Sequence, residues 1–260
     1  MTDTPVAHTD TANPRQSRMR LAMGTFATIE VDLPERVALA AIDAAFVVIE
    51  SIEWQMHPTR PGSDLTRINE AHHGQAVEVS RQTYEVLALA QRISTESRGV
   101  FDPCLAASVG GIADLELGSN QSVRLRKRML IDLGGIAKGF AVDQALRCLR
   151  ERGCETALVN IGGDLAALGA GLGVGVRLRN RVLSQHLCNR ALAVSDTQDE
   201  NRPAEHRGYY SRGARRMRRT IAAVMAPNAA MADALTKCAL YCDDTEWLAL
   251  ARQFDAVLIA

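Results

Sequence analysis

The sequence predicts an α+β protein in which helices cover one side of largely antiparallel sheets. Two patterns predict this class: apolar residues recur at helical spacing in several separate stretches, and short apolar or alternating runs end in glycine or polar turns. Strand and helix signals come in irregular order with hairpin-like neighbours, so no Rossmann fold is expected. The 260 residues, 47% of them hydrophobic, can bury a substantial core.

The N-terminal part is predicted to hold a leader, a strand and two helices. Residues 1–18 mix polar types without periodicity and predict a mobile leader, with order beginning near residue 21. Residues 21–31 are β-branched and aromatic enough for a strand, and residues 34–56 repeat apolar side chains at helical spacing after a proline. Ser80 is a plausible N-cap for a helix that ends before residue 99.

The middle of the chain is predicted to alternate strands with one helix. Alternation from Val123 and an apolar run at 129–133 predict a strand that ends in two glycines. A helix follows at once and ends before Gly153. Short runs at 156–161 and 174–178 predict two further strands.

The C-terminal part begins with a stretch that carries no secondary-structure pattern. Residues 181–218 are polar, arginine-rich and aperiodic, which predicts a long, poorly ordered loop within a domain spanning 19–260. A strand is expected at 220–226, and Asn228 can cap a helix through Tyr241. A short helix then leads to a final strand at the C-terminus, in residues 256–260.

Composition excludes several classes of partner. The 30 basic residues balance 30 acidic ones, so no nucleic-acid partner is expected, and the arginines between 207 and 219 are interpreted as a solvated basic loop. No apolar run approaches the roughly 20 residues of a membrane span, and the polar N-terminus predicts a cytoplasmic protein without membrane insertion. The six cysteines form no CxxC pair, so neither a metal cluster nor a disulfide framework is expected.

The strongest local motif is the glycine turn at residues 132–139, DLGGIAKG. An apolar strand that runs through glycines into a helix presents backbone N–H groups and a positive helix end to an anion. Lys138, on the first helical turn, can add a point charge against a pyrophosphate. A tight turn without a ligand is equally compatible with the pattern.

Two further elements carry polar side chains in apolar surroundings. The turn Asn160-Ile161-Gly162-Gly163-Asp164 can bind a ribose or ring edge, or form only an Asx-type turn. Asp233 lies inside an apolar helix, where a buried carboxylate needs a partner. The sequence leaves two candidates for that partner, a metal ion and a salt-bridged side chain.

Together these elements resemble the FAD:protein FMN transferase (ApbE) family. The resemblance runs in series from Met23-Gly24-Thr25 through the segments SDLTRIN at 63–69 and GVFDP at 99–103 to the two glycine turns and the helix MADALTK at 231–237. It implies an α+β, T-fold-related architecture in which FMN passes from FAD to a threonine or serine hydroxyl of an acceptor flavoprotein and AMP is released. It also implies Mg²⁺ on the pyrophosphate, with oxygen ligands.

The resemblance assigns roles residue by residue. Asp233 and Lys138 are the expected catalytic residues, and Gly135, Asp233 and Thr236 are the expected magnesium ligands. Met23 is expected to pack on the flavin. The full set expected at the flavin nucleotide is Met23, Asp132, Gly134, Gly135, Lys138, Asn160, Gly162, Gly163, Asp164 and Ser195.

The chain departs from the family pattern at four places. One is a TSGDY-like segment of the family, which is reduced here to Val194-Ser195-Asp196. Lys237 stands where the family usually has a threonine, and the loop that usually carries a histidine and an aspartate is represented by residues 209–215 without them. The aromatic residue expected after the first helix is represented by Met56-His57. These departures leave two alternatives to transfer: a non-catalytic FAD-binding or scaffold protein, and an FAD hydrolase that produces FMN and AMP.

Overall fold

The computed structural model describes residues 15–105, 108–169, 171–179, 181–198 and 215–260. The strands are β1 (Gln16–Ala22), β2 (Thr25–Val31), β3 (Ala76–Glu78), β4 (Leu115–Leu117), β5 (Ser122–Leu125), β6 (Ala157–Ile161), β7 (Asp164–Leu168), β8 (Leu172–Leu178), β9 (Arg181–Leu187), β10 (Ala191–Asp196), β11 (Ile221–Ala226) and β12 (Val257–Leu258). The helices are α1 (Glu35–Gln55), α2 (Asp64–Glu70), α3 (Arg81–Glu96), α4 (Ala137–Glu151), α5 (Ala229–Tyr241) and α6 (Asp244–Gln253).

A seven-stranded sheet in the order β1-β2-β6-β7-β10-β11-β12 forms the centre of the molecule. All its neighbouring strands pair antiparallel. A three-stranded sheet, β3-β5-β4, and the β8-β9 hairpin complete the strand structure of the described ranges. The predicted α+β class with largely antiparallel sheets is confirmed.

Helices α1, α4 and α5 pack together against the large sheet. The buried side of α1 consists of residues spaced three or four apart, such as Ala38, Ile42, Ala45 and Ile49, which is the spacing of one helix face. The β8-β9 hairpin forms a second apolar cluster with strands β7, β10 and β11 of the same sheet. The central strands are therefore buried by helices and by a hairpin. No helix in the described ranges is both long enough and apolar enough to cross a membrane.

The N-terminal prediction was wrong at its boundary. Strand β1 begins at Gln16, inside the expected leader, and residues 1–14 lie outside the described ranges. The single predicted strand at 21–31 is the end of β1, a turn and β2, because Ala22 pairs with Thr25 across Met23 and Gly24. The sequence shows no apolar pattern at β1, because only one side of the strand packs inward and the other side carries polar residues.

The predicted loop at 181–218 was also wrong over its first half. Strand β9 pairs along its whole length with β8, and its mostly exposed polar residues explain the missing apolar pattern. Strand β10 inserts between β7 and β11 and is largely buried. Residues 199–214 lie outside the described ranges. Most of the arginines interpreted as a solvated loop are described, however, and Arg215, Arg218 and Arg219 form ion pairs with acidic residues at the start of α6.

The run 129–133 forms an isolated bridge between Cys104 and Ile131 instead of a strand. The side chain of Asn69 explains this difference. Its amide nitrogen donates to the Ile131 carbonyl at 2.9 Å, and its oxygen accepts from the Ile131 N–H at 2.8 Å. One side chain thus satisfies the backbone groups that a neighbouring strand would otherwise pair. The final predicted strand is shortened to β12.

The other predicted helices agree with the structure. Ser80 caps α3 by accepting from the Thr83 N–H, and Asn228 caps α5 by accepting from the Met231 N–H. Helix α4 ends before Gly153, whose positive φ of 82° suits a residue without a side chain.

Candidate active site

The first glycine turn joins residues 129–133 to α4. The Asp132 carboxylate accepts from the Gly134 N–H at 2.8 Å and so closes an Asx turn. Helix α4 then begins at Ala137 without a side-chain cap from its own N-cap residue, Ile136. The N-terminal turn of this helix instead receives a partner from α5, because the Gly139 N–H points at Asp233 Oδ2, 3.4 Å away.

Helices α4 and α5 cap each other. While Asp233 of α5 accepts from Gly139, Asp143 of α4 accepts from the N–H groups of Ala229 and Ala230 at 2.7 and 2.9 Å. Carboxylates are favourable at helix N-termini because they satisfy free N–H groups and oppose the helix dipole. Asp143 was not predicted from the sequence, and its place beside α5 is visible only in the packing.

Gly139 allows the two helices to approach this closely. A Cβ atom at residue 139 would lie 2.2 Å from the Ala229 carbonyl oxygen, closer than any side chain tolerates. This glycine, the last residue of the first motif, therefore serves helix packing, and through it the position of Asp233.

The second glycine turn lies between β6 and β7, next to the β1-β2 turn. Asn160 Oδ1 accepts from the Gly163 N–H at 3.0 Å, which is the Asx-type turn that the sequence left open. A Cβ at Gly162 would lie 2.7 Å from Thr25 Cγ2, so the start of β2 is pressed against this turn. Asn160 and Asp164 are thereby brought near the hairpin that carries Met23.

Met23 occupies a strained backbone conformation in the β1-β2 turn. Its φ is +52° and that of Gly24 is +71°, as a two-residue hairpin turn requires. A bulky residue at positive φ is uncommon, and such positions are often found at functional sites. The partly buried Met23 side chain packs against the main core.

Two ion pairs lie close together here, one joining α4 to the second glycine turn and the other within α5. Lys138 of α4 donates to Asp164 Oδ2, and Lys237 of α5 donates to Asp233 Oδ1. The carboxylates are buried, with side-chain exposures of 2% for Asp164 and 0% for Asp233. The lysines are more accessible, at 24% for Lys138 and 12% for Lys237. We call these four residues the charge cluster.

The two carboxylates of the charge cluster differ in proton affinity. Burial raises the pKa of Asp164, the charge of Asp233 raises it further, and Lys138 only partly opposes the shift. Burial acts on Asp233 in the same direction, but the ammonium groups of Lys237 and Lys138 outweigh it, so the pKa of Asp233 lies below its ordinary value. Asp233 is therefore the stable anion and Asp164 the readier proton acceptor.

The expected magnesium ligand Thr236 is engaged with protein groups. Its hydroxyl donates to the Asp233 carbonyl at 2.7 Å and lies 2.6 Å from the Ser195 hydroxyl. Ser195, which the sequence assigned to the flavin nucleotide, is thus placed against α5 and is buried. Within the described ranges no group of three or more His, Cys, Asp or Glu residues could hold a metal ion.

Other residues of the sequence motifs have structural partners. Asp64 accepts from the Ser80 N–H and the Thr83 hydroxyl, each at 2.8 Å, and connects α2 to α3. Asp102 accepts from the N–H groups of Cys104 and Ile112. The motif at 99–103 also contributes Phe101, whose ring lies beside Gly135, a contact that the sequence did not predict.

The structure brings together most of the residues that the sequence assigned to the site. Lys138 contacts Asp164, and Asp233 is near enough to both for their charges to affect one another. The turn with Met23 adjoins the turn with Gly162. Asp132 instead uses its carboxylate in its own turn. Met56 is buried beyond the end of α1, and the loop at 199–214 lies outside the described ranges.

Comparison with known proteins identifies the family of the chain. A sequence model of the ApbE family matches residues 23–110 and 105–259. Relatives named FAD:protein FMN transferase include one from Treponema pallidum (strain Nichols), 27% identical over 59% of this chain and 51% of the relative. Another, from Klebsiella pneumoniae (strain 342), is 28% identical over 50% of this chain and 49% of the relative. The chain spans about half the length of the curated relatives it matches.

Solved structures share the fold. The apo form of the Pseudomonas stutzeri flavinyl transferase ApbE superimposes with a TM-score of 0.78 and 19% identity, covering 95% of this chain and 93% of that one. The ApbE protein of Thermotoga maritima gives a TM-score of 0.79 and 21% identity, over 95% and 94% of the two chains. The match of the family model over nearly the whole described chain shows that the chain belongs to the ApbE family.

Proposed function

We propose that this protein is an FAD:protein FMN transferase that moves FMN to a threonine or serine hydroxyl of an acceptor flavoprotein. The observation that carries the proposal is the charge cluster, in which two lysines lie over two buried carboxylates beside the glycine turns. Family membership supports it, as do the names of the relatives. Ammonium groups beside a helix N-terminus suit the pyrophosphate of a dinucleotide.

In the proposed reaction the acceptor hydroxyl oxygen forms a bond to the FMN phosphorus of FAD. The bond from that phosphorus to the bridging oxygen breaks, and AMP leaves with the electron pair. The hydroxyl proton passes to a carboxylate of the cluster, for which Asp164 is the better candidate because its pKa is raised by burial. Lys138 and Lys237 neutralise charge on the phosphates, which is the main requirement of phosphoryl transfer.

Two of the three residues expected to hold Mg²⁺, Asp233 and Thr236, do not fit that ion as they are arranged. Both carboxylate oxygens of Asp233 have partners, Lys237 Nζ and the Gly139 N–H. The Thr236 hydroxyl bonds the Asp233 carbonyl and Ser195. We therefore propose a reaction in which the two lysines neutralise the phosphates without a metal ion.

One observation favours a second function, namely FAD binding without transfer. The Lys237–Asp233 pair neutralises the aspartate that the family resemblance assigns to catalysis. In that case Lys138 and the glycine turns would still bind the dinucleotide.

Incubation of the protein with FAD and candidate acceptors, followed by intact-mass spectrometry and chromatography of nucleotides, tests the proposal. FMN mass on the acceptor together with AMP supports transfer, whereas AMP without labelling indicates FAD hydrolysis. FAD retention without AMP indicates a binding protein. A Lys127→Thr variant is the matched control, because Lys127 pairs with Asp114 outside the charge cluster and should leave every readout unchanged. Absence of FAD binding in the wild type would contradict the proposal.

A further inference from the structure

Lys237 holds the position at which a divalent cation would have to contact Asp233. Its ammonium donates to Asp233 Oδ1 and also to the Asp233 backbone carbonyl, at 3.0 Å. The other carboxylate oxygen, Oδ2, faces the Gly139 N–H at 3.4 Å. Because the Asp233 side chain is 0% exposed and Lys237 lies on its Oδ1, a metal ion could reach that oxygen only by displacing the ammonium.

The side chain of Lys237 extends from α5 to the first glycine turn. Lys237 follows Asp233 by four residues, so both lie on the same face of α5. A Cβ added at Gly135 would meet Lys237 Cε at 3.5 Å, which places the stem directly against the glycine turn. The cation is therefore fixed at the turn whose geometry is suited to an anion.

The charge cluster is balanced without a metal ion. Asp164 and Asp233 contribute two buried negative charges, and Lys138 and Lys237 contribute two positive ones. Buried charges persist only with such partners. In the absence of FAD, a dication added to this cluster would give it a net positive charge. It could contact Asp233 Oδ1 only by displacing the ammonium of Lys237, whose side chain is 12% exposed.

We infer that Lys237 is a built-in cation that replaces a divalent metal, so that the site binds the FAD diphosphate without Mg²⁺. The inference rests on the proposed function, since it names the group that neutralises the diphosphate at the same site. Lys138 and Lys237 would each contact the diphosphate from one helix, because both lysine side chains are more exposed than the carboxylates with which they pair.

The test measures two quantities on the full chain, with and without EDTA and with millimolar Mg²⁺. The first is FAD affinity, from quenching of flavin fluorescence. The second is the melting temperature of the protein without FAD, as Mg²⁺ is added. Wild type, Lys237→Thr, Lys237→Met and the control Lys127→Thr are compared, and the methionine variant keeps most of the stem without the charge.

We expect wild-type FAD affinity to be equal in EDTA and in Mg²⁺, and its melting temperature to be insensitive to Mg²⁺. Lys237→Thr should bind FAD about tenfold or more weakly in EDTA, because a charged partner of the diphosphate is lost, and should recover in Mg²⁺. Lys237→Met should be weakened without recovering. The control should behave as wild type.

Loss of wild-type FAD binding in EDTA with recovery in Mg²⁺ would overturn the inference and leave the proposed function standing. A rise of the wild-type melting temperature with Mg²⁺ alone would do the same, and neither result needs a folded variant. Absence of FAD binding under both conditions would overturn the proposed function and, with it, the inference.

Discussion

The ion pair of Lys138 and Asp164 connects residues 26 positions apart, from the first turn of α4 to the first residue of β7. Asp164 is buried, so its carboxylate depends on this partner for charge compensation. The lysine is only partly exposed and lies at the same edge as the glycine turns. If the proposed function holds, this single side chain both stabilises the fold and contacts the diphosphate.

Replacing Lys138 with methionine should weaken FAD binding and destabilise the protein. The FAD affinity should fall about tenfold or more, since the charge near the diphosphate is lost. The free energy of unfolding should fall by up to about 3 kcal/mol, because Asp164 loses its charged partner and its remaining neighbours do not replace it. Chemical denaturation and flavin fluorescence titration measure the two effects.

The double variant Lys138→Met, Asp164→Asn separates these two roles. A neutral amide at residue 164 removes the uncompensated charge, so most of the lost stability should return. FAD affinity should remain low, because the ammonium is still absent. Recovery of affinity together with stability would mean that Lys138 acts only through the fold.

At the scale of elements, the contact between α4 and α5 determines where the site residues lie. Each helix supplies a carboxylate to the N-terminus of the other, through Asp143 and Asp233. Gly139 lies where the two helices come closest. The position of the charge cluster is therefore a consequence of this helix pair.

Replacing Gly139 with alanine should force the two helices apart. The new methyl group would lie 2.2 Å from the Ala229 carbonyl oxygen, which is backbone and cannot turn away. We expect a loss of about 1–3 kcal/mol in the free energy of unfolding and a loss of FAD binding. Gly173→Ala is the matched control, since its Cβ would meet only His186 at an ordinary 3.7 Å. Equal stability of the two variants would contradict the packing role.

The Asp143 carboxyl should make stability depend on pH. Burial raises its pKa to about 7 from 3.8, and Asp233 adds to the shift, while the Ala230 and Ala229 N–H groups oppose it. A raised carboxyl pKa in the folded state contributes stability at low pH that is lost as pH rises through the folded value. The free energy of unfolding should therefore fall as the pH rises from about 4 to about 7.

Comparison of the wild type with Asp143→Asn measures this contribution. The amide does not titrate, and it offers only one oxygen to the two N–H groups, so the variant should be less stable by about 1–3 kcal/mol at pH 5. The difference should shrink between pH 5 and pH 8, by at most about 1.4 kcal/mol for each pH unit. Parallel stability curves over this range would show that Asp143 does not titrate there.

At the scale of the whole molecule, the sequence predicts those parts of the fold whose pattern is local. Helices α1, α3, α4 and α5 follow apolar spacing and caps such as Ser80 and Asn228, so they are predictable. Strands β1 and β9 are not, because their exposed sides carry polar residues and their pairing partners decide their structure. The bridge at Ile131 depends on a side chain 62 residues away.

In the candidate site, too, the sequence predicts some residues and not the contacts between them. The motifs identify Lys138, Asp164 and Asp233 as polar residues next to glycines or in an apolar helix. Their pairing with each other, and the pairing of Lys237 with Asp233, follow from the packing of α4, α5 and β7. Asp143 carries no motif at all, since its partners are backbone N–H groups of another helix.

Because the site combines a hairpin, two helices and a sheet turn, FAD binding should stabilise the whole fold and not one segment. At an FAD concentration of 100 times its Kd, the free energy of unfolding should rise by about 2.7 kcal/mol. For a chain of this size, that rise should increase the melting temperature by about 5–10 °C. Riboflavin, which lacks the diphosphate, should give a much smaller shift, since it cannot reach the ammonium groups of Lys138 and Lys237. Scanning calorimetry with both ligands measures these shifts in melting temperature. Equal shifts for FAD and riboflavin would mean that the ring contacts supply the binding energy and that the charge cluster does not contact the ligand.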